Sequence, residues 1–285
     1  MSNSRLMNRE AQIRSLFDAS GFGLEIGPSD NPIVPKRGGF HVESVDHATA
    51  AELRAKFATE PVEISLIEEV DYIWDGRPLC EVIGSTQRYD YVVASHVIEH
   101  SPDMLGFLNQ CDALLRPAGT LVLVVPDKRR CFDLFRPLST TRAVLQAHYE
   151  KRTRHLAATA FEQASSFVTL DGVGGWAKGA TGSIALRHSL SESKALFDRA
   201  TASNDDLDFH ASTFTPSSFR LVLKELNELE LLPLHEVNFQ PTPIFEFFIT
   251  VSRTGTGCPL DRLQLFYRII EELKESAPQP PQTGP

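Results

Sequence analysis

The residues that could do chemistry on a ligand stand at the ends of five short apolar runs. Glu25 lies inside the first run, FGLEI, where a carboxylate is costly unless it is paired or hydrogen-bonded, and Gly27 follows it and leaves the backbone open to close approach. Asp46 ends HVESVD about twenty residues later, the separation at which an acid meets the two hydroxyls of a ribose in nucleoside sites. Asp75 follows VDYIW and is placed to accept a hydrogen bond from an exocyclic amine. Ser95 and His96 end YDYVVAS, and Asp127 follows TLVLVVP. Taken singly, such residues are turn formers, helix caps or edge residues. Jointly, they deliver a polar group at the same end of consecutive runs, which points to a nucleoside-bearing ligand. His96 and His100 are candidate general bases, because histidine changes charge near neutral pH, although His100 equally suits bracing the turn before Ser101 and Pro102. His210, ahead of FTPSSF, is a further candidate for contact with substrate.

The elements needed to position these residues are legible as alternating strands and helices. Strands are predicted at 22–26, 41–46, 70–74, 89–95 and 120–125, with helices at 5–19, 48–57 and 104–115. The pattern returns late in the chain, with a helix at 216–229 capped by Thr215 and strands at 232–239 and 244–252. Those last strands are joined by Gln-Pro-Thr-Pro, too short for a helical crossover, so they should pair antiparallel. The expected fold is α/β, a Rossmann-like, doubly wound, mostly parallel seven-stranded sheet with an antiparallel last strand and an inserted helical and loop lid. The expected division is 1–130 for the first part of the core, 131–210 for the insertion, 211–253 for the end of the sheet, and 254–285 for a C-terminal helix and disordered tail.

Composition narrows the partners. Among 285 residues, 28 Lys and Arg against 37 Asp and Glu give a formal charge of −9, which speaks against a broad surface gripping nucleic acid and favours a small-molecule substrate. The polar start resembles no signal peptide, and no apolar run approaches the roughly 20 residues a membrane helix needs, so a cytoplasmic location without membrane contact is expected. Four scattered cysteines form no C-x-x-C pair. Residues 96–100, HVIEH, match the inverted zinc-protease pattern H-x-x-E-H, but a strand runs directly into the motif and Ser-Pro follows it, so the continuous helix that pattern needs is not expected and no metal is predicted. Asp205, Asp206 and Asp208 do not fit a calcium-loop spacing and read as a solvated acidic turn. In the insertion, Arg129, Arg130, Arg136, Arg142, Arg152 and Arg154 read as a solvated basic face, with a collar for an anionic acceptor as the alternative. The glycines at 172–182 read as a flexible loop, with a mobile cover over the site as the alternative.

LEIGPSDNP, VESVDHA, YDYVVASHVIEHSPD and LLRPAGTLVLVVPD together resemble the successive motifs of class I S-adenosylmethionine-dependent methyltransferases, especially those acting on small molecules, sugars and lipids. The resemblance implies S-adenosylmethionine as cofactor, with Glu25 and Gly27 in the loop beside its methionine moiety, Asp46 on the ribose, Asp75 on the adenine amine, and Ser95 and His96 on the methionine and substrate side. The usual E-x-G-x-G-x-G loop is here Glu-Ile-Gly-Pro-Ser-Asp-Asn, with only its first glycine. The segment PDKRRCFDLFRPL resembles methyltransferases of sugar and surface-polysaccharide assembly, which implies O-methylation of a saccharide acceptor, with N-methylation the lesser alternative. Two other functions fit the same sheet. A nicotinamide-dependent oxidoreductase also uses an acid after the second strand, but it needs G-x-G-x-x-G, which is missing; a non-catalytic nucleoside-binding protein is the other.

Overall fold

The computed structural model describes residues 3–60, 62–202, 208–275 and 278. The first half of the chain runs α1 (Asn3–Arg14), β1 (Gly23–Ile26), β2 (Val42–Asp46), α2 (Ala50–Lys56), β3 (Tyr72–Ile73), α3 (Leu79–Ile83), β4 (Tyr89–Ser95), α4 (Met104–Leu114) and β5 (Leu115–Pro126). The second half runs α5 (Thr141–Tyr149), α6 (Ala157–Ser166), β6 (Val168–Leu170), β7 (Ile184–Leu186), α7 (Leu190–Ala202), α8 (Pro216–Glu228), β8 (His235–Pro241), β9 (Glu246–Ser252) and α9 (Arg262–Leu273). Seven strands form one sheet in the order β3-β2-β1-β4-β5-β9-β8. The pairings from β3 to β5 are parallel, and β9, the last strand in sequence, is antiparallel to both of its neighbours.

Alternation along the strands divides the core into two layers. Tyr89, Val92 and Ala94 of β4, Leu121, Leu123 and Val125 of β5, and Phe247, Ile249 and Val251 of β9 face α3, α4 and α8. Tyr91 and Val93, Val122 and Val124, and Phe248 face the other way and meet Ile13 of α1. Both faces are covered, which is why these strands read as near-continuous apolar runs.

Several boundaries differ from the pattern-based expectation. The leading helix ends at Arg14 rather than at residue 19, and of the expected third strand only Tyr72–Ile73 joins the ladder. Asp71 instead turns its carboxylate to the Ser44 N–H at 2.7 Å. Residues 116–119, expected as a turn, bulge out within β5, so that Tyr89 and Tyr91 pair with Leu115 and Thr120. Strand β8 starts at His235, because the Leu232 and Leu234 carbonyls accept from the Asn227 side chain.

The 131–210 segment is less separate from the core than an inserted lid would be. Val144 of α5 belongs to the main apolar cluster. Arg130 and Arg136, expected on a solvated face, are 6% and 4% exposed and are tied to Glu275 and to Asp133 and Glu162. The glycine-rich piece is also fastened: Trp176 is buried with its N–H on the Arg130 carbonyl, and a Cβ on Gly175 would crowd the Phe245 ring at 3.1 Å. Asp205, Asp206 and nearly all of the expected tail lie outside the described residues. Among the described residues no helix is long and apolar enough to cross a membrane.

The connection from β1 to β2 contains no α-helix, only a 3-10 turn at Lys36–Gly38. It is held from inside by Glu25, whose carboxylate accepts from the N–H groups of Ile33 and Val34 at 2.6 and 3.1 Å, while Arg14 donates to the Ile33 carbonyl at 2.6 Å. Burial raises the Glu25 carboxyl to about 7, against the two backbone hydrogen bonds that lower it. The native state therefore keeps a proton that the unfolded chain releases near pH 4.5. Stability should fall as pH rises from that value through 7, by on the order of 2–3 kcal/mol from this group alone. Urea unfolding of the wild type and of Glu25→Gln at pH 5 and pH 8 checks this: the wild type should lose stability relative to the variant, and parallel pH profiles would refute it.

Candidate active site

Parallel register sets the level of the site. Ile26 pairs with Val45 on one side and Ala94 on the other, so Gly27, Asp46 and Ser95 are the next residues of three adjacent strands. Gly27 takes φ +63°, donates its N–H to the Val45 carbonyl, and has room for a Cβ only at 3.1 Å from Val97. Asp46 is buried at the end of β2 and accepts from the Ser29 N–H at 3.2 Å and from its neighbour His47 N–H at 2.7 Å. Its Oδ1 also lies 2.7 Å from the His47 ring Nδ1, so the further lone pair is on Oδ2, the oxygen that Ser29 meets. Ser29 also has positive φ, and its hydroxyl is buried without a hydrogen-bond partner. That orphan points to a ligand atom, since buried polar groups are normally satisfied.

The other candidates for cofactor contact are placed differently. Glu25 faces inward and holds the loop. Asp75 is half-exposed with both oxygens on Arg77 Nε, at 3.0 and 2.8 Å, which holds its carboxyl below the usual range. The Ser95 hydroxyl accepts from Arg9 at 3.0 Å. Asp127 is buried beyond the end of β5, capping the following turn through the Arg129 N–H and pairing with the Arg129 guanidinium at 2.5 Å.

His96 leaves β4 at φ +55°, a conformation that costs a side-chain-bearing residue strain. Its Nε2 lies 2.7 Å from Glu246 Oε2, and Glu246 is gripped by Arg9 at 2.6 and 2.9 Å. Burial alone would raise the Glu246 carboxyl, but the hydrogen bonds and charges of His96 and Arg9 bring it down to about 2. An ionised Glu246 can only accept, so His96 carries a proton on Nε2, and in the neutral imidazole the lone pair is then on Nδ1.

That Nδ1 points toward Glu99, which is 1% exposed and has no hydrogen-bond partner on either carboxylate oxygen. Residues 98–100 form a 3-10 turn, not the α-helix of a zinc-protease motif. Around Glu99 Oε1 stand His96 Nδ1 at 3.5 Å and the Nε2 atoms of His100 and His210 at 3.9 Å each. His100 and His210 meet edge to face at 4.6 Å. Their other nitrogens are backed by carboxylates, His100 Nδ1 by Asp208 at 2.6 Å and His210 Nδ1 by Asp133 at 2.5 Å. Burial disfavours protonation of His100, yet the Asp208 hydrogen bond and the charges of Glu99, Asp208 and Asp133 raise its pKa. A cavity adjoins this cluster, lined by Ser101, Ser139, Arg152, Arg154, His155 and Ser212 among others, and the Ser212 N–H reaches back to the Glu99 carbonyl at 3.1 Å.

Sequence reading thus reached His96, His100 and His210 but not the groups that orient them. Glu99 lies within HVIEH, and an acid so soon after an apolar strand was the usable signal. Arg9, Asp133 and Glu246 had none, because Asp133 lies 77 positions from His210, Glu246 150 from His96 and Arg9 237 from Glu246.

A family profile described as a methyltransferase domain matches residues 5–180. The chain is 30% identical over 121 residues to a ubiquinone biosynthesis O-methyltransferase of Bradyrhizobium sp. (strain ORS 278), covering 42% of this chain and 43% of that one. It is 27% identical over 126 residues to the enzyme of the same name from Rhodopseudomonas palustris (strain BisA53), covering 44% and 45%. The chain therefore spans less than half the length of these curated relatives. Among solved structures, the CcbJ methyltransferase from Streptomyces caelestis aligns over 87% of this chain and 95% of its own, at 14% identity and a TM-score of 0.44.

The Arg9 and Glu246 pair locks α1 onto the end of β9, and Glu246 has no exposed side-chain surface. Removing one partner of a buried pair leaves the other charge uncompensated, which costs about 3–5 kcal/mol. Arg9→Met should lower unfolding stability by about 2–4 kcal/mol, the lower range reflecting the remaining His96 partner. Denaturant unfolding at neutral pH checks this, and a loss below about 1 kcal/mol would show that the pair is incidental.

Proposed function

The chain belongs to the methyltransferase-domain family, whose enzymes use S-adenosylmethionine, and on that premise we propose that it methylates a hydroxyl oxygen of a small molecule. The observation that carries the reading is the shared level of Gly27, Asp46 and Ser95 on adjacent parallel strands, with the unpartnered Ser29 hydroxyl beside Asp46. Those residues suit the cofactor. Gly27 leaves room for close approach, Asp46 Oδ2 keeps a lone pair for a ribose hydroxyl while exposed His47 can release Oδ1 to the second, and Ser29 Oγ lacks the partner a ligand would give it. When bound, S-adenosylmethionine supplies an electrophilic methyl group on a sulfonium. Asp75 would take the adenine amine at the outer edge by exchanging part of its contact with Arg77.

His96 serves as the general base. Glu246 fixes its tautomer and ring orientation, as the carboxylate does in a catalytic triad, and leaves Nδ1 to receive the acceptor's hydroxyl proton as the new O–C bond forms. Glu246 and Arg9 are positioning residues. His100 and His210 line the acceptor side, next to the cavity. The names of the relatives support oxygen as the methylated atom. The lining is half apolar, with Met104, Val144 and Leu156, and half polar, and its Arg152, Arg154 and three serines favour a polyhydroxylated or anionic acceptor such as a saccharide or nucleotide-linked sugar. An acceptor from ubiquinone biosynthesis is the second reading, favoured by those same names.

Calorimetry with S-adenosylhomocysteine and with NAD should show binding of the first only, and Asp46→Ala should weaken it at least about tenfold. Unchanged affinity in that variant, or binding of NAD alone, would overturn the reading. On whichever acceptor turns over in a panel of sugars, nucleotide sugars and phenols, His96→Ala should lower kcat by about 10²- to 10⁴-fold with affinity for S-adenosylhomocysteine nearly unchanged. A matching fall in affinity would move His96 from the chemistry to the binding site.

A further inference from the structure

The geometry points to a divalent metal site of the zinc class built from Glu99, His100 and His210. Its core is an electrostatic mismatch. Glu99 is 1% exposed, and neither of its carboxylate oxygens receives a hydrogen bond. The nearest basic atoms are imidazole nitrogens, and those of His100 and His210 stand 3.9 Å away, too far to donate. Asp208 and Asp133 hold the opposite nitrogen of each ring at 2.6 and 2.5 Å. Each ring in its neutral form gives its proton to that carboxylate and turns a lone pair toward Glu99. Acceptors then face acceptors around one buried point, an arrangement a cation satisfies and that no other charged group in contact with Glu99 supplies among the described residues.

The ligand chemistry matches. Two imidazoles and one carboxylate with an open position form the set of catalytic zinc sites. Carboxylates behind the ligating histidines are the outer-sphere partners that fix tautomer and ring orientation. The three donor atoms lie within 4.8 Å of one another. Tetrahedral ligands about 2.1 Å from zinc are separated by about 3.4 Å, so closure takes small rotations about side-chain bonds rather than refolding. The third ligand comes from outside the HVIEH motif, so the site does not need the helix that a zinc-protease pattern requires. The site stands on these contacts alone. Its use rests on the methyl-transfer reading: the open position, beside His96 and the cavity, would take the acceptor's hydroxyl oxygen and make its proton easier to remove.

The test uses the whole 285-residue chain, stripped with a chelator, and the metal alone. Titration with Co²⁺, followed by its visible absorption, and equilibrium dialysis with Zn²⁺ should give one equivalent bound. Glu99→Gln and His210→Ala should each weaken binding by more than about tenfold, and Asp133→Asn, at a carboxylate that backs His210 and also pairs with Arg136, by about 10- to 100-fold. Thermal melting and S-adenosylhomocysteine binding verify that each variant is folded, and His210→Gln replaces any that is not. Absence of a bound equivalent, or binding unaltered in folded Glu99 and His210 variants, would overturn the site. Metal loss with S-adenosylhomocysteine binding intact separates that failure from failure of the methyl-transfer reading, which would show the reverse.

Discussion

A carboxylate taken out of water must be hydrogen-bonded, paired with a cation or protonated, and the carboxyl ends of this sheet are organised by the ways in which that demand is met. Glu25 meets it with two backbone N–H groups and a raised pKa, and in doing so fixes a crossover that has no helix. Glu246 meets it with Arg9 and His96, which fastens α1 and the last strand to the end of β4. Asp133 meets it with Arg136 and His210, which ties the start of the segment after β5 to the stretch that precedes α8. Glu99 alone of these has neither hydrogen bond nor Arg or Lys beside it.

These contacts explain why so short a connection suffices between β1 and β2. A crossover normally buries its own apolar stripe against the sheet; here Ile33 and Val34 supply the buried side chains, and α1, which precedes the sheet, supplies the rest through Ile13. The loop therefore needs its backbone held, and Glu25 holds it from within the strand. The costly position of that acid is repaid in geometry, because the same loop carries Gly27 and Ser29 past the end of Asp46.

The sheet was legible in the sequence because burial on both faces writes itself as apolar runs, and parallel pairing puts the ends of those runs on one side. Asp46, Ser95 and His96 could be placed from that alone. The length of the third strand and the bulge at 116–119 could not, because a side-chain hydrogen bond from Ser44 to Asp71 and a register shift across Tyr89 and Tyr91 decided them. The basic residues after β5 illustrate the same limit. Clustered charge reads as a solvated face, yet Arg130 and Arg136 are buried by acids that arrive from α9's end and from α6. Pairing across tens of residues leaves no local mark.

The same limit locates the boundary between the cofactor side and the acceptor side. Gly27, Ser29 and Asp46 are neighbours through strand register, a property of the sheet. His100 and His210 are neighbours only because the segment between β5 and α8 returns to the end of β4, with the Ser212 N–H on the Glu99 carbonyl and Asp133 holding His210 from within that segment. A change in that segment can thus alter the acceptor side while the register that aligns the cofactor residues stays as it is. His96 stands where the two meet, held through Glu246 by the sheet and facing, through Nδ1, the cluster completed by the insertion. The positive φ of His96 falls at that junction, where the chain leaves β4 and the ring meets Glu246 on one nitrogen and faces Glu99 with the other.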